Sequence, residues 1–196
     1  MKHKHLITFG SVVVVAWVLG TFLFIFFWPY LAYNNYKKGI VDKGFGEGPV
    51  PINTLYTEPQ TLFADPSTLP ASASKLITTG VNRDTLLTVG WLDLSKESLV
   101  LHVPDMADRY YSVQFTDPSD GTDFSYVGSR TTGTKAGDYL VTGPNWQGEV
   151  PSNMTRISAP NNSVLIIGRV LVESDSDLPT AHDLTKQIQL TPLSHI

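Results

Sequence analysis

A β-sandwich or jelly-roll-like domain, closed by one C-terminal helix and carried behind a single transmembrane helix, is the architecture that three features of the sequence predict. Residues Leu6 to Trp28 form an uncharged, strongly apolar run. From Lys75 onward, short runs rich in Val, Thr, Tyr and Phe alternate with turn residues at roughly ten-residue spacing. Near the end of the chain, apolar residues recur at three-to-four spacing, the period of a helix.

The apolar run has 23 residues, about 35 Å as a helix, enough to cross a hydrocarbon core about 30 Å thick. The basic start "MKHKH" would also suit a signal peptide. The run exceeds a usual signal core, however, and no A-x-A-like cleavage site follows it. It is read as an uncleaved anchor over residues 6–30, preceded by a short tail, residues 1–5. Trp28, Tyr30, Tyr33 and Tyr36 fall at interface depth, followed by Lys37 and Lys38. Basic residues flank both ends, so charge counting nearly ties. The short N-terminus favours a cytoplasmic start and a domain outside, which in a bacterium means the inner membrane and the periplasm.

Residues 31–74 hold a Gly-, Pro- and Ser-rich stretch without helical or strand period, and read as an irregular juxtamembrane arm. The domain proper spans residues 75–196. Its strand candidates are "KLITTGV", "DTLLTVGWLDL", "ESLVLHVP", "RYYSVQFTD", "DFSYVGSR", "GDYLVTGP", "MTRISAP" and "SVLIIGRVLV". In "SDLPTAHDLTKQIQL", Leu178, Ala181, Leu184 or Thr185, and Ile188 mark one face of a closing helix. Ser176 or Asp177 is placed to cap it, with Pro179 in its first turn.

Charge bounds the partners. Of 14 Lys+Arg only Lys2 and Lys4 precede residue 31, so the remainder, with all 18 Asp+Glu, has a net charge of −6. An acidic domain disfavours nucleic acid and anionic lipid as partners. There is no cysteine, which excludes disulfides and thiolate chemistry.

The stretch "GSRTTGTKAG" spaces Gly128 and Gly133 like a phosphate-binding loop but follows them with Thr134-Lys135, the reverse of the required order. It leads into a strand candidate, not a helix, so it reads as a hairpin connection. "VNRDTLLTVGWLDL", "VPDMADRYYSVQFTD", "GSRTTGTKAGDYLVTGPNWQGEVP" and "SVLIIGRVLVESDSDLPTAHDLTKQIQLTPL" resemble, in order and spacing, the domain of unknown function 1254 family over residues 75–193. Leu87 stands where many relatives carry an aromatic residue. The resemblance implies a largely β fold with no established chemistry. It also implies a partner supplied in trans, because longer relatives join this domain to a second, 1214-type domain, which in some bacteria looks like a separate, singly anchored protein.

Asn82, Asp84, Arg109 and Arg130 are the candidate ligand-binding residues: Asn and Asp to hold a polar group, the arginines to clasp a carboxylate or phosphate bidentately. Each also has a scaffold reading, in turns for Asn82 and Asp84 and at hairpin ends for the arginines. Arg169 interrupts the apolar run "VLIIGRVLV", where a charge requires a partner. Asp84 and Asp93 are its candidate partners in a structural ion pair. "DPSDGTD" lacks the EF-hand pattern and reads as a solvated turn. His102, His182 and His195 are isolated, and no nucleophile–base set or metal motif occurs. No catalytic residue, metal or cofactor is therefore expected.

These observations favour a non-catalytic accessory subunit docked on another membrane protein. That partner would be the 1214-type single-span protein or a larger multisubunit complex, with the bilayer contacted through residues 6–30. The alternative is a small-ligand binder or envelope enzyme built around Asn82, Asp84, Arg109 and Arg130.

Overall fold

The computed structural model describes residues 2–44, 48–57 and 84–196, and divides into two units, Met1–Gly39 and Ile40–Ile196. Asn82 and the first strand candidate, residues 75–81, lie outside the described residues.

The first unit is helix α1 (Lys2–Lys38). Its apolar stretch has a mean hydropathy of 2.3, with none of it buried in the protein, and is long and apolar enough to cross a membrane. Trp17, Phe22, Ile25 and Phe26 are each exposed by 66% or more, a continuous apolar surface of the kind that seeks lipid or another protein. Pro29 is accommodated inside the helix. The helix takes in both the expected tail and the first residues of the expected arm. Leu31 and Ala32 favour helix, Lys37 and Lys38 suit its C-terminal dipole, and the first breaker met is Gly39.

The second unit is a two-sheet sandwich. One sheet orders β1 (Leu55–Thr57), β2 (Thr85–Asp93), β8 (Ser163–Leu171), β4 (Tyr111–Asp117) and β5 (Thr122–Gly128), all antiparallel. The other orders β7 (Met154–Ser158), β6 (Gly137–Thr142), β3 (Leu99–Val103) and β9 (Gln189–Pro192), with β6 and β7 parallel. Seven of the eight strand candidates are therefore strands. Two strands arise where none was expected. β1 lies within the arm and pairs Leu55 with Gly90; β9 follows the closing helix directly and pairs with β3.

Strand alternation builds the core. Leu86 and Leu92 of β2, Tyr111, Val113 and Phe115 of β4, and Val164, Ile166 and Val170 of β8 face Leu99, Leu101 and Val103 of β3 and Val141 of β6. Helix α2 (Leu178–Gln187) adds Ala181, with Leu178 and Leu184 packed against the same cluster and Ile188 just beyond. Asp177 occupies the cap position but makes no side-chain capping bond; its carboxylate is engaged elsewhere.

Candidate functional site

The outer face of the five-stranded sheet carries a cleft of about 420 Å³, bounded in part by Tyr110, Ser112, Gln114, Tyr126, Arg130 and Arg169. Register explains why a hollow forms there. Gly128 of β5 lies opposite Ser112 of β4, which lies opposite Arg169 of β8. Across this row two of the three side chains are absent or small, while Tyr126 and Gln114 rise from the next row. Gly128 is fixed by crowding: a Cβ would sit 2.6 Å from the Tyr111 carbonyl oxygen and 3.0 Å from the Ser112 Cα, so only glycine lets β5 close on β4.

The turn after β5 sets Arg130. Amides of Thr131 and Thr132 both donate to the Gly128 carbonyl at 2.9 Å, and the Thr131 hydroxyl donates to the Tyr126 carbonyl. Gly133 follows with φ of +83°, a left-handed conformation that glycine adopts at no steric cost, and β6 begins at Gly137. The stretch that resembled a phosphate loop is thus a turn between strands, with no helix behind it. It extends Arg130 over the ring of Tyr110, with the guanidinium carbon 5.4 Å from the centroid, in cation–π range.

A β-bulge supplies the polar wall. The β4–β5 register shifts between Phe115 and Thr116, so that Ser125 opposes Phe115 but Asp123 opposes Thr116. Without the extra residue, Asp123 and Tyr126 would point to opposite faces. The shift turns Phe124 toward the core, 6.2 Å from the ring of Phe115, and puts Asp123 beside Gln114, Thr116 and Tyr126. One Asp123 oxygen accepts from the Thr116 hydroxyl at 2.7 Å and the Gln114 amide at 2.8 Å. The other accepts from the Tyr126 hydroxyl at 2.6 Å. The Thr116 bond leads in holding this carboxyl below the ordinary Asp value, followed by Tyr126, with the charge of Arg169 adding to them. Asp123 is ionised at neutral pH.

Arg130 and Arg169 form no hydrogen bond or ion pair with any described residue. The expected pairing of Arg169 with Asp84 or Asp93 does not form, for reasons of register. Asp93 opposes Ser163, six residues along β8 from Arg169, about 20 Å at strand rise. Asp84 precedes β2 at a position that alternates away from Leu87, the residue opposite Arg169, and its carbonyl accepts from Val172 at 2.7 Å. Because Arg169 lies on the outer face, its charge needs no buried partner.

The ion pair forms at Arg109 instead. Its guanidinium clasps both oxygens of Asp177, one at 2.6 Å, and donates to the Leu171 carbonyl at 2.7 Å. The two side chains are only 11% and 17% exposed. Arg109 is thus engaged away from the cleft, and this is the work that keeps Asp177 from capping α2. Of the three ligand candidates among the described residues, Asp84, Arg109 and Arg130, the cleft receives Arg130 alone, and it gains Arg169, the expected ion-pair arginine. Ser112, Gln114 and Tyr126 are not singled out by the sequence, and Asp123 enters there only as part of "DPSDGTD", read as a solvated turn; alternation in "YSVQFTD" places Ser112 and Gln114 on one face, but nothing in one dimension announces the bulge. His102 lies on the other sheet, 2.7 Å from Asp138. Asp117 and Asp120 of "DPSDGTD" bond amides within that turn. No group of three metal-ligating side chains occurs among the described residues.

The VPA0106 protein of Vibrio parahaemolyticus has a crystal structure similar to this chain, with a TM-score of 0.64 and 27% identity over 85% of this chain and 35% of that one. A protein from Burkholderia cenocepacia, also crystallised, aligns at 14% identity and a TM-score of 0.41, over 74% of this chain and 36% of that one. The chain therefore spans about a third of the length of either. A search of curated proteins returns no match. A family model described as "Protein of unknown function (DUF1254)" matches residues 62–192, well over half the chain, and the chain belongs to that family.

Proposed function

We propose that this protein is a single-span membrane protein that holds a non-catalytic, ligand-binding domain on the outer side of a bacterial inner membrane, and that the ligand is a small organic anion. One observation carries the reading: two arginines without hydrogen-bond partners among the described residues border one cleft of about 420 Å³, a size within the range of small-molecule sites. An arginine unmatched by a carboxylate offers several donors in a fixed fork, the geometry that recognises carboxylate or phosphate. Helix α1, long and apolar enough to cross a membrane, supports the anchor. Calorimetric titration of the full chain in mild detergent with a panel of small organic anions tests the binding. Binding that survives in both Arg130→Gln and Arg169→Gln would count against it. A reporter fused to the C-terminus tests the topology.

Docking as an accessory subunit on another membrane protein, either a 1214-type single-span protein or a multisubunit complex, is the second reading. The exposed apolar and aromatic surface of α1 favours it, since that surface serves a neighbouring span as well as lipid. Purification in mild detergent that returns only the lone chain would remove this reading and leave the first untouched.

A further inference from the structure

We propose that the cleft selects a planar monocarboxylate, a carboxylate group carried on an aromatic or similarly flat body, over a phosphate monoester of the same shape. This rests on the anion-binding reading above and narrows it. The first argument is charge. Arg130 and Arg169 border the cleft, and Asp123 stands beside it, locked by three hydrogen bonds and within electrostatic reach of Arg169. These three groups sum to one positive charge. A monoanion brings the site to neutrality, whereas a dianion leaves an excess negative charge next to Asp123. Like charges at close range are unfavourable unless one is neutralised.

The second argument is shape. The Arg130 guanidinium carbon lies over the Tyr110 ring, 5.4 Å from its centroid, and its donors, which lie in the guanidinium plane, are left for a carboxylate held by two parallel bonds. The Tyr126 ring is fixed by its hydroxyl bond to Asp123 and rises from the row next to the Gly128–Ser112 floor. Tyr110 and Tyr126 are therefore aromatic walls on the cleft, and a flat ring stacks on such walls with less loss of freedom than a flexible chain. Arg169, standing on the central strand of its sheet, supplies the second cation from the opposite side of the floor to Gly128.

The experiment is calorimetric titration of the full chain in detergent with five probes: benzoate, cyclohexanecarboxylate, phenyl phosphate, inorganic phosphate and benzamide. Benzoate is expected to bind about tenfold or more tightly than phenyl phosphate and cyclohexanecarboxylate, with inorganic phosphate and benzamide giving no measurable heat of binding. Asp123→Asn raises the local charge by one and is expected to shift the preference toward phenyl phosphate. Arg169→Lys keeps the charge but loses the fork, and is expected to weaken benzoate. Phenyl phosphate binding as tightly as benzoate in the unsubstituted chain would overturn the carboxylate assignment while leaving anion binding in place. Cyclohexanecarboxylate equal to benzoate would overturn the planar body alone. Absence of binding by every anion would overturn both this proposal and the reading beneath it.

Discussion

Arg109 and Arg169 flank the same pair of strands and carry the same charge, yet they end in opposite circumstances. Arg109, just before β4, reaches both oxygens of Asp177 and the carbonyl at the end of β8. Arg169, within β8, has Ser112 on one side and Leu87 on the other, neither of which can balance a charge. The difference is contact: the turn leading into α2 brings a carboxylate into hydrogen-bonding contact with the first arginine, whereas the sheet places Asp123 within electrostatic reach of the second but with no bond between them. An arginine paired with a carboxylate and largely buried is scaffold; one on a cleft with no hydrogen-bond partner among the described residues is available to something from outside. Substitutions at the two positions should therefore separate stability from binding.

The largest expected effect is on the scaffold side. Asp177→Asn strands the Arg109 charge in a site only 11% exposed, and should lower unfolding stability by about 3 kcal/mol, since breaking a buried pair leaves an uncompensated ion. Denaturant unfolding followed by tryptophan fluorescence measures it, and anion binding should survive in the folded fraction. Acidity sharpens the same contrast. The bond from Arg109 holds the Asp177 carboxyl below its ordinary value of 3.8. A depressed folded-state pKa contributes stability that is complete above the unfolded value and is lost as pH falls through the folded one. The gap between the natural chain and Asp177→Asn should accordingly be constant through neutrality and close in acid below about pH 4. A gap independent of pH would mean that the carboxylate charge is not what Arg109 needs.

Arg169→Gln tests the other side. It should change unfolding stability by no more than about 0.5 kcal/mol, as expected of a substitution that breaks no existing bond. It should cost about 1.5–3 kcal/mol of binding to an organic anion, the range for hydrogen bonds to a charged group. If Arg169→Gln unfolds the domain while Asp177→Asn leaves it intact, the two roles have been assigned the wrong way round.

How far the sequence could have led is visible in the same residues. Local information was sufficient for the β2–β8 strands, because each is a run of β-forming residues between turn signals, and for α2, whose buried Ala181 and Thr185 sit at helical spacing. It was sufficient to recognise that Arg169 is an anomaly in an apolar strand. It was not sufficient to say which face Arg169 takes, since that depends on which neighbours of β8 point inward. β1 escaped because three residues carry no period, and β9 because it continues straight from a helix. The bulge that turns Asp123 toward Tyr126 is a property of two paired strands, and neither strand declares it alone. Part of the candidate site was thus legible as residue types, chiefly Arg130 in a turn; its assembly was written in pairings between distant strands.

The smallest effect probes how Arg130 is held. Its guanidinium carbon lies over the Tyr110 ring in cation–π range, and the group makes no hydrogen bond to a described residue, so the ring is its main restraint among the described residues. Tyr110→Leu keeps apolar bulk but removes the ring quadrupole, worth about 0.5–1 kcal/mol at an exposed site. The loss should appear in binding and not in unfolding, because a half-buried tyrosine outside the core is being replaced by another apolar side chain. Tyr110→Phe retains the ring and should bind nearly as the natural chain does. Equal losses in Tyr110→Leu and Tyr110→Phe would instead assign the contribution to the tyrosine hydroxyl, and Arg130 would then need a different restraint. A loss confined to Tyr110→Leu leaves the cleft with one arginine held by a ring and one by a strand, both set in place before any ligand arrives.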